Sequence, residues 1–165
     1  MTYLSLLGGG LWAYYLYYQA GANDWQNNFA IQTEVLPYHD KLRLLVIHVT
    51  SKNPRSSKFL LTKVHGDSFK LRIQKIPMNV KVDEVISDDE DKTNLIKTID
   101  ILATGSGEYE LLPNAELDDM KSIVLPVNTM VQVTAEMEVS TGDIDKNGEP
   151  DTDFISKSAV VRISP

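Results

Sequence analysis

The pattern of hydrophobic and polar residues changes once along this chain, close to residue 23. Residues 2–22 carry no charged side chain, whereas the rest is rich in charged residues. Twenty-one residues in an α-helix span about 32 Å, enough to cross the hydrocarbon core of a bilayer. We therefore predict a transmembrane helix over residues 1–22, a polar linker over residues 23–28 and a folded domain over residues 29–165.

Small residues recur along one side of the predicted helix. Ser5, Gly9 and Ala13 are spaced four residues apart and share one helical face, which lets another helix approach closely. The pattern predicts that the helix contacts membrane lipid and packs on other membrane-protein subunits. A cleaved signal peptide is one alternative, because Ala20-Gly21-Ala22 has the small-x-small form of a cleavage site. A buried core helix is the other, but it would need a partner layer, and the rest of the chain looks complete without it.

Alternation with a period of two dominates the region after residue 28. It is clearest at Val131–Val139 and at Ile155–Ile163, as in antiparallel sheets with one solvated face. Residues 42–49 are instead apolar on both faces, which predicts a central strand. His48 lies within that run, where a histidine is more often a satisfied structural residue than a ligand.

Turn signals separate eight or nine short apolar segments, and we expect one helical turn within residues 114–121. The chain is therefore predicted to be mainly β, with the N-terminal helix followed by an immunoglobulin-like antiparallel β-sandwich of about eight or nine strands.

Composition narrows the range of functions. The chain has no cysteine, which excludes disulfides and thiolate metal sites. The net charge is −7, and this acidity argues against nucleic acid, whose phosphates require clustered Lys and Arg. No catalytic triad, phosphate loop or histidine cluster can be recognised from residue spacing. We therefore expect a protein that is not an enzyme.

Between the last two predicted strands, oxygen-bearing residues occupy alternate positions around a glycine. The candidate ligands are Asp143, Asp145, Asn147, Glu149, Asp151 and Asp153. This spacing resembles the first half of a calcium-binding loop. The twelfth position of such a loop is Phe154 instead of Glu, so an EF-hand is excluded and a looser Ca²⁺ site is predicted. The alternative is an acidic hairpin turning at Asn147-Gly148.

In an immunoglobulin-like topology, the acidic loop lies at the end of the sandwich where the N-terminal segment enters. The turn containing Lys52, Arg55 and Lys58 is expected at that end too. We therefore expect the acidic loop to face the membrane or a membrane partner, with these cations balancing its charge. A calcium site of modest affinity fills where calcium is millimolar, which favours an extracytoplasmic domain at the periplasm or cell surface.

These observations favour a non-catalytic accessory or assembly subunit of a membrane protein complex. A hydrophobic N-terminal helix leading into a β-sandwich also resembles the layout of archaeal pilins and archaellins. That resemblance implies the alternative function, a subunit of a self-assembling surface filament, and with it a homo-oligomer.

Overall fold

The computed structural model describes residues 27–79, 81, 83, 94–104, 107–144, 146, 148 and 150–165, with the backbone alone at positions 143 and 150. Nine strands lie within these residues: β1 (Asn28–Pro37), β2 (Leu42–Lys52), β3 (Phe59–Thr62), β4 (Ser68–Lys75), β5 (Leu95–Asp100), β6 (Glu108–Leu111), β7 (Glu116–Pro126), β8 (Thr129–Ile144) and β9 (Pro150–Ile163). Single 3₁₀ turns occur at Lys63–His65 and Leu102–Thr104.

The strands form three antiparallel sheets. One has the order β1-β2-β7, a second has the order β5-β4-β8-β9, and β3 pairs with β6 in a small third sheet. Apolar side chains from all three sheets meet in one core. The mainly β prediction is thus confirmed, and the arrangement fits a β-sandwich.

Alternation along the strands decides which side chains enter the core. In β2, Leu45, Ile47 and Val49 are fully buried, and in β8 the residues from Val131 to Met137 at odd positions are fully buried. Successive strand residues point to opposite faces, so the even-numbered residues of both strands form the outer faces of their sheets.

The helical turn predicted within residues 114–121 was wrong. Ala115 closes a turn on Leu112, and β7 begins directly afterwards at Glu116. It pairs with β2 over its whole length, from Lys52 opposite Glu116 to Leu42 opposite Pro126. Pairing with a central strand supplies the backbone hydrogen bonds that a local helix would have made, so tertiary context overrides the local polar pattern.

The N-terminal predictions mostly lie outside the described residues. These include the helix over residues 1–22 and its stripe of Ser5, Gly9 and Ala13. Within the described part of the chain, no helix is long and apolar enough to cross a bilayer. The described chain starts inside the predicted linker: Asn27 is buried and Asn28 already belongs to β1.

Candidate functional site

The acidic segment joins β8 to β9 as a hairpin. Val139 pairs with Asp153 and Ser140 with Thr152, and after a register shift Ile144 pairs with Pro150. Only residues 145–149 therefore lie between the two strands. Gly148 has a φ of 85°, a conformation that favours glycine and is typical of hairpin turns.

Two of the six predicted calcium ligands have described side chains. Asp151 and Asp153 are exposed on β9, and the hydroxyl of Thr141 donates to the Asp151 carbonyl over 3.0 Å. The side chains of Asp143, Asp145, Asn147 and Glu149 lie outside the described residues. No group of three metal-ligating side chains is found in the described part of the chain, and the calcium site stays a prediction.

Two of the three cations expected to balance this hairpin have other partners. Lys52 Nζ lies 3.8 Å from Glu116 Oε2, and Lys58 Nζ lies 3.2 Å from Glu110 Oε1. All four side chains are about half exposed, and exposed ion pairs contribute little to stability. These pairs tie the turn after β2 to β6 and β7.

Asn27 fixes the point where the chain enters the sandwich. Its side-chain amide donates to Ser51 Oγ over 2.6 Å and to Met137 Sδ over 3.4 Å. These partners belong to β2 and β8, so one side chain contacts both large sheets. β8 runs past Met137 and continues to Ile144. The N-terminal segment therefore joins the sandwich at the end from which the acidic hairpin extends.

A polar cluster lies at this same end of the core. The Tyr109 hydroxyl donates to Asp119 Oδ2 over 2.9 Å. Burial raises the pKa of Tyr109, and the negative charge of Asp119 raises it further. The ring of Phe69 stacks on Phe29 at 5.5 Å and meets Tyr109 edge-on at 5.1 Å. These contacts keep the Tyr109 phenol neutral, and we therefore interpret the Tyr109–Asp119 pair as a contact that stabilises the fold.

The three histidines lie on separate elements. His48 Nδ1 lies 2.7 Å from Asp118 Oδ2 on the outer face of the β1-β2-β7 sheet, with both side chains partly exposed. His39 contacts its exposed neighbour Asp40, and His65 ends the first 3₁₀ turn. His48 is thus satisfied by a neighbouring strand, as the sequence predicted. The described residues offer no histidine cluster that could hold a metal.

The outer face of the β1-β2-β7 sheet carries an apolar surface. Leu36 pairs with Leu44, and Leu44 pairs with Val124, so three apolar side chains form one row across the sheet. Leu42 flanks Leu44 on the same face of β2, whereas Val46, on the other side of Leu44, is buried. We call the four residues Leu36, Leu42, Leu44 and Val124 the outer apolar face. Leu42 and Val124 are more than a third exposed.

The sequence contains a signal for this surface. Residues 42–49 are apolar on both faces, which is typical of a strand covered on both sides. The structure shows that one of these faces enters the core while the other points outward, at the end of the sheet far from Asn27. We interpreted the run only as a central strand, and so missed the surface that its second face creates.

Comparisons with known proteins find similarity among solved structures alone. No family model and no curated protein matches the chain. Among solved structures, a crystal structure of the Bordetella pertussis protein that carries the name ApaA is similar, with a TM-score of 0.49 and 12% sequence identity. The alignment covers 84% of this chain and 94% of the other.

Proposed function

We propose that this protein is a non-catalytic accessory or assembly subunit of a membrane protein complex, anchored by residues 1–22. The observation that carries the proposal is the outer apolar face, formed by Leu36, Leu42, Leu44 and Val124. An apolar patch on a folded domain typically marks a contact with another protein. The His48–Asp118 pair lies near this face among the described residues. Both of its side chains are partly exposed on the sheet surface, and we assign the pair no catalytic role.

The layout of the chain supports a membrane anchor. The uncharged segment of residues 2–22 is joined to the sandwich through the buried Asn27, which contacts both large sheets. A helix in the bilayer would therefore connect to one fixed end of the domain. The outer apolar face lies toward the opposite end, where it can meet the soluble part of a partner. The stripe of Ser5, Gly9 and Ala13 would pack on that partner's helix.

We assign the domain to an immunoglobulin-like topology. In the described sheets β2 is the neighbour of β7, and β4 is the neighbour of β8. Strands distant in sequence are therefore adjacent in space, as in the Greek-key connections of immunoglobulin-like sandwiches. Domains of this architecture serve many functions, so the partner must be identified from the surface and by experiment.

We further propose that the acidic hairpin binds Ca²⁺ and that the domain lies outside the cytoplasm. Asp151 and Asp153 lie on the same face of β9 and are exposed to solvent, so an ion can reach them. Oxygen ligands of this kind are those that calcium prefers, and exposed sites outside the cytoplasm bind it in the millimolar range.

The proposed function is tested on the full chain in its own membranes. Alkaline carbonate extraction should leave the protein in the membrane fraction. Native mass spectrometry of a detergent extract should then show a fixed stoichiometry with unlike subunits. Val124→Glu should dissociate this complex, while Val160→Glu should not, because Val160 is 63% exposed on the other sheet. Release by carbonate would refute the anchor, and a helical polymer would support the filament alternative.

A further inference from the structure

The two large sheets of the described chain end in four edge strands. β1 and β7 bound one sheet, and β5 and β9 bound the other. The outer side of an edge strand presents a row of backbone N–H and C=O groups to which a strand of another chain can pair. A second copy of this chain carries the same edges, so pairing between copies is the contact that these edges most directly permit.

A lysine stands at an inward position near the middle of three of these edge strands: Lys97 of β5 opposite Ile73, Lys121 of β7 opposite Ile47, and Lys157 of β9 opposite Ala135. The three apolar partners are fully buried in the core. Residues directly opposite each other in an antiparallel pair point to the same face of the sheet. Each lysine therefore occupies a position where an apolar side chain would extend the core.

The central strands follow a different rule. In β4, the inward residues Phe69, Leu71 and Ile73 are all apolar and fully buried. The charged residues at inward positions of β2 and β4 stand at the strand ends, at Arg43 and Lys75. An inward lysine in the middle of a strand is thus a feature of the edges, where its long side chain can reach water past the open side of the strand.

The exposure of the three side chains agrees with this position. Lys97 and Lys157 are exposed, and Lys121 is half-buried. The fourth edge strand, β1, holds Thr33 at the inward position opposite Ile47 and lies beside β9 across the sandwich. All four edges therefore have a polar residue where the central strands have an apolar one.

We propose that Lys97, Lys121 and Lys157 prevent the edges of the sandwich from pairing with a second copy of this chain. A strand added to one of these edges would cover the opening through which the lysine reaches water. The ammonium group would then be enclosed against the core, and enclosing a charge without a partner is strongly unfavourable. Contacts with other proteins are thereby restricted to the sheet faces and the ends of the sandwich. This inference does not depend on the proposed membrane anchor.

The test uses the full chain in detergent, with sedimentation velocity in a buffer that matches the density of the detergent. Lys97→Met, Lys121→Met and Lys157→Met are combined in one variant, because methionine keeps an unbranched side chain without the charge. The matched control combines the same substitution at three exposed lysines outside the edge strands, Lys41, Lys70 and Lys81. Both variants lose the same charge. A third variant carries arginine at the three edge positions, and circular dichroism verifies that each variant is folded.

We expect the edge methionine variant to self-associate at a concentration about tenfold lower than the parent chain, because pairing no longer encloses a charge. Hydrogen exchange should slow in β5, β7 and β9 of the associated form, since pairing gives their outer amides a partner. The arginine variant and the control should sediment like the parent. Equal sedimentation of the edge methionine variant and the control would overturn the inference. Association without slower exchange in these strands, or a parent chain already paired through them, would overturn it too.

Discussion

The hydroxyl of Tyr109 donates a 2.9 Å hydrogen bond to the carboxylate of Asp119. The two residues belong to β6 and β7, so the bond connects the small β3-β6 sheet to the β1-β2-β7 sheet. Tyr109 is 9% exposed and its ring contacts Phe69. Asp119 occupies an inward position of β7 and is only partly exposed. This bond satisfies an acidic side chain that would otherwise face the core unpaired.

Tyr109→Phe should destabilise the protein by about 1–2 kcal/mol at neutral pH, because it removes the donor to a carboxylate while keeping the ring. The raised pKa of Tyr109 adds a pH dependence. The folded state holds the phenol neutral, so its stabilisation is complete below the ordinary pKa of 10.0 and is lost as the pH rises above it. Urea denaturation of both proteins at neutral and alkaline pH measures this. Tyr38→Phe, at a 61% exposed residue, is the control.

The buried side chain of Asp67 connects β3 to β8 through hydrogen bonds to their backbones. Its Oδ2 accepts from the Thr62 backbone N–H over 2.8 Å, and its Oδ1 accepts from the Ser140 backbone N–H over 2.9 Å. Asp67→Asn turns one acceptor into a donor that faces a donor, so we expect a loss of about 1–3 kcal/mol. Asp40→Asn is the matched control, since Asp40 is highly exposed. Equal denaturation midpoints for the two variants would contradict the assigned role of Asp67.

Asn53 organises the turn after β2. It is fully buried, and its side-chain amide donates to the carbonyls of Ser57, Leu111 and Leu112 while its oxygen accepts from the Arg55 N–H. Asn53→Ala leaves several buried backbone groups without partners and should cost about 2–4 kcal/mol. Asn28→Ala, at an exposed residue of β1, should change the free energy of unfolding by less than about 0.5 kcal/mol. Chemical denaturation compares the two.

How well the sequence predicted each strand depended on which side chains face inward. β8 was predicted well because apolar residues occupy successive inward positions at Val131, Val133 and Ala135. The first half of β7, up to Lys121, was missed because two of its inward positions hold Asp119 and Lys121, which break the apolar alternation, whereas residues 122–125 were expected to pair. Asp119 is tolerated there because Tyr109 donates to it. A bond between two strands cannot be read from residue spacing in either one.

The candidate sites also differ in how much of each could be predicted from the sequence. Both the acidic hairpin and the two-sided apolar run of β2 lie within continuous stretches of sequence, so their residues could be found directly. The outer apolar face could not be assembled from the sequence, because its row combines Leu36, Leu44 and Val124 from three strands. The register that aligns these strands is set by the packing of the opposite face. The alternation of apolar and polar residues predicts which residues of one strand share a face. It does not predict which residues of a neighbouring strand lie beside them.

Acid should weaken the protein through Asp100. Desolvation acts to raise the pKa of this carboxyl, but the hydrogen bond from Lys63 Nζ at 2.7 Å and the Ala103 N–H at 2.9 Å outweigh it and hold the pKa below the ordinary 3.8. The associated stability is present above that value and is lost as the pH falls through the lowered pKa. Because Asp100 is 38% exposed, the effect should be small.

The measurement for Asp100 is the denaturation midpoint as a function of pH between about 5 and 2. Asp100→Asn should flatten the acid part of this curve, and Lys63→Gln should flatten it similarly by removing the nearest cation. Glu116→Gln removes a carboxylate from an exposed ion pair and serves as the control. An Asp100→Asn curve that parallels the parent at every pH would show that this carboxyl does not contribute to acid stability.

Calcium should stabilise the full chain at millimolar concentration through the hairpin between β8 and β9. A ligand that binds the folded state about tenfold above its dissociation constant contributes about 1.4 kcal/mol, which raises the melting temperature of a domain this size by about 3–5 °C. Asp151→Asn together with Asp153→Asn should abolish this shift, because both carboxylates belong to the predicted oxygen set.

The matched control for the calcium experiment removes two carboxylates elsewhere, by Glu116→Gln with Asp118→Asn on β7. If calcium acted only by screening the net charge of −7, both double variants would respond alike, and magnesium would shift the melting temperature as much as calcium. A bound ion gives a different result, since magnesium requires a smaller and more regular oxygen shell and keeps its waters. A calcium-specific shift that is lost only when Asp151 and Asp153 are changed therefore distinguishes a site from an acidic surface. An equal response of both variants leaves the hairpin as a turn between two strands.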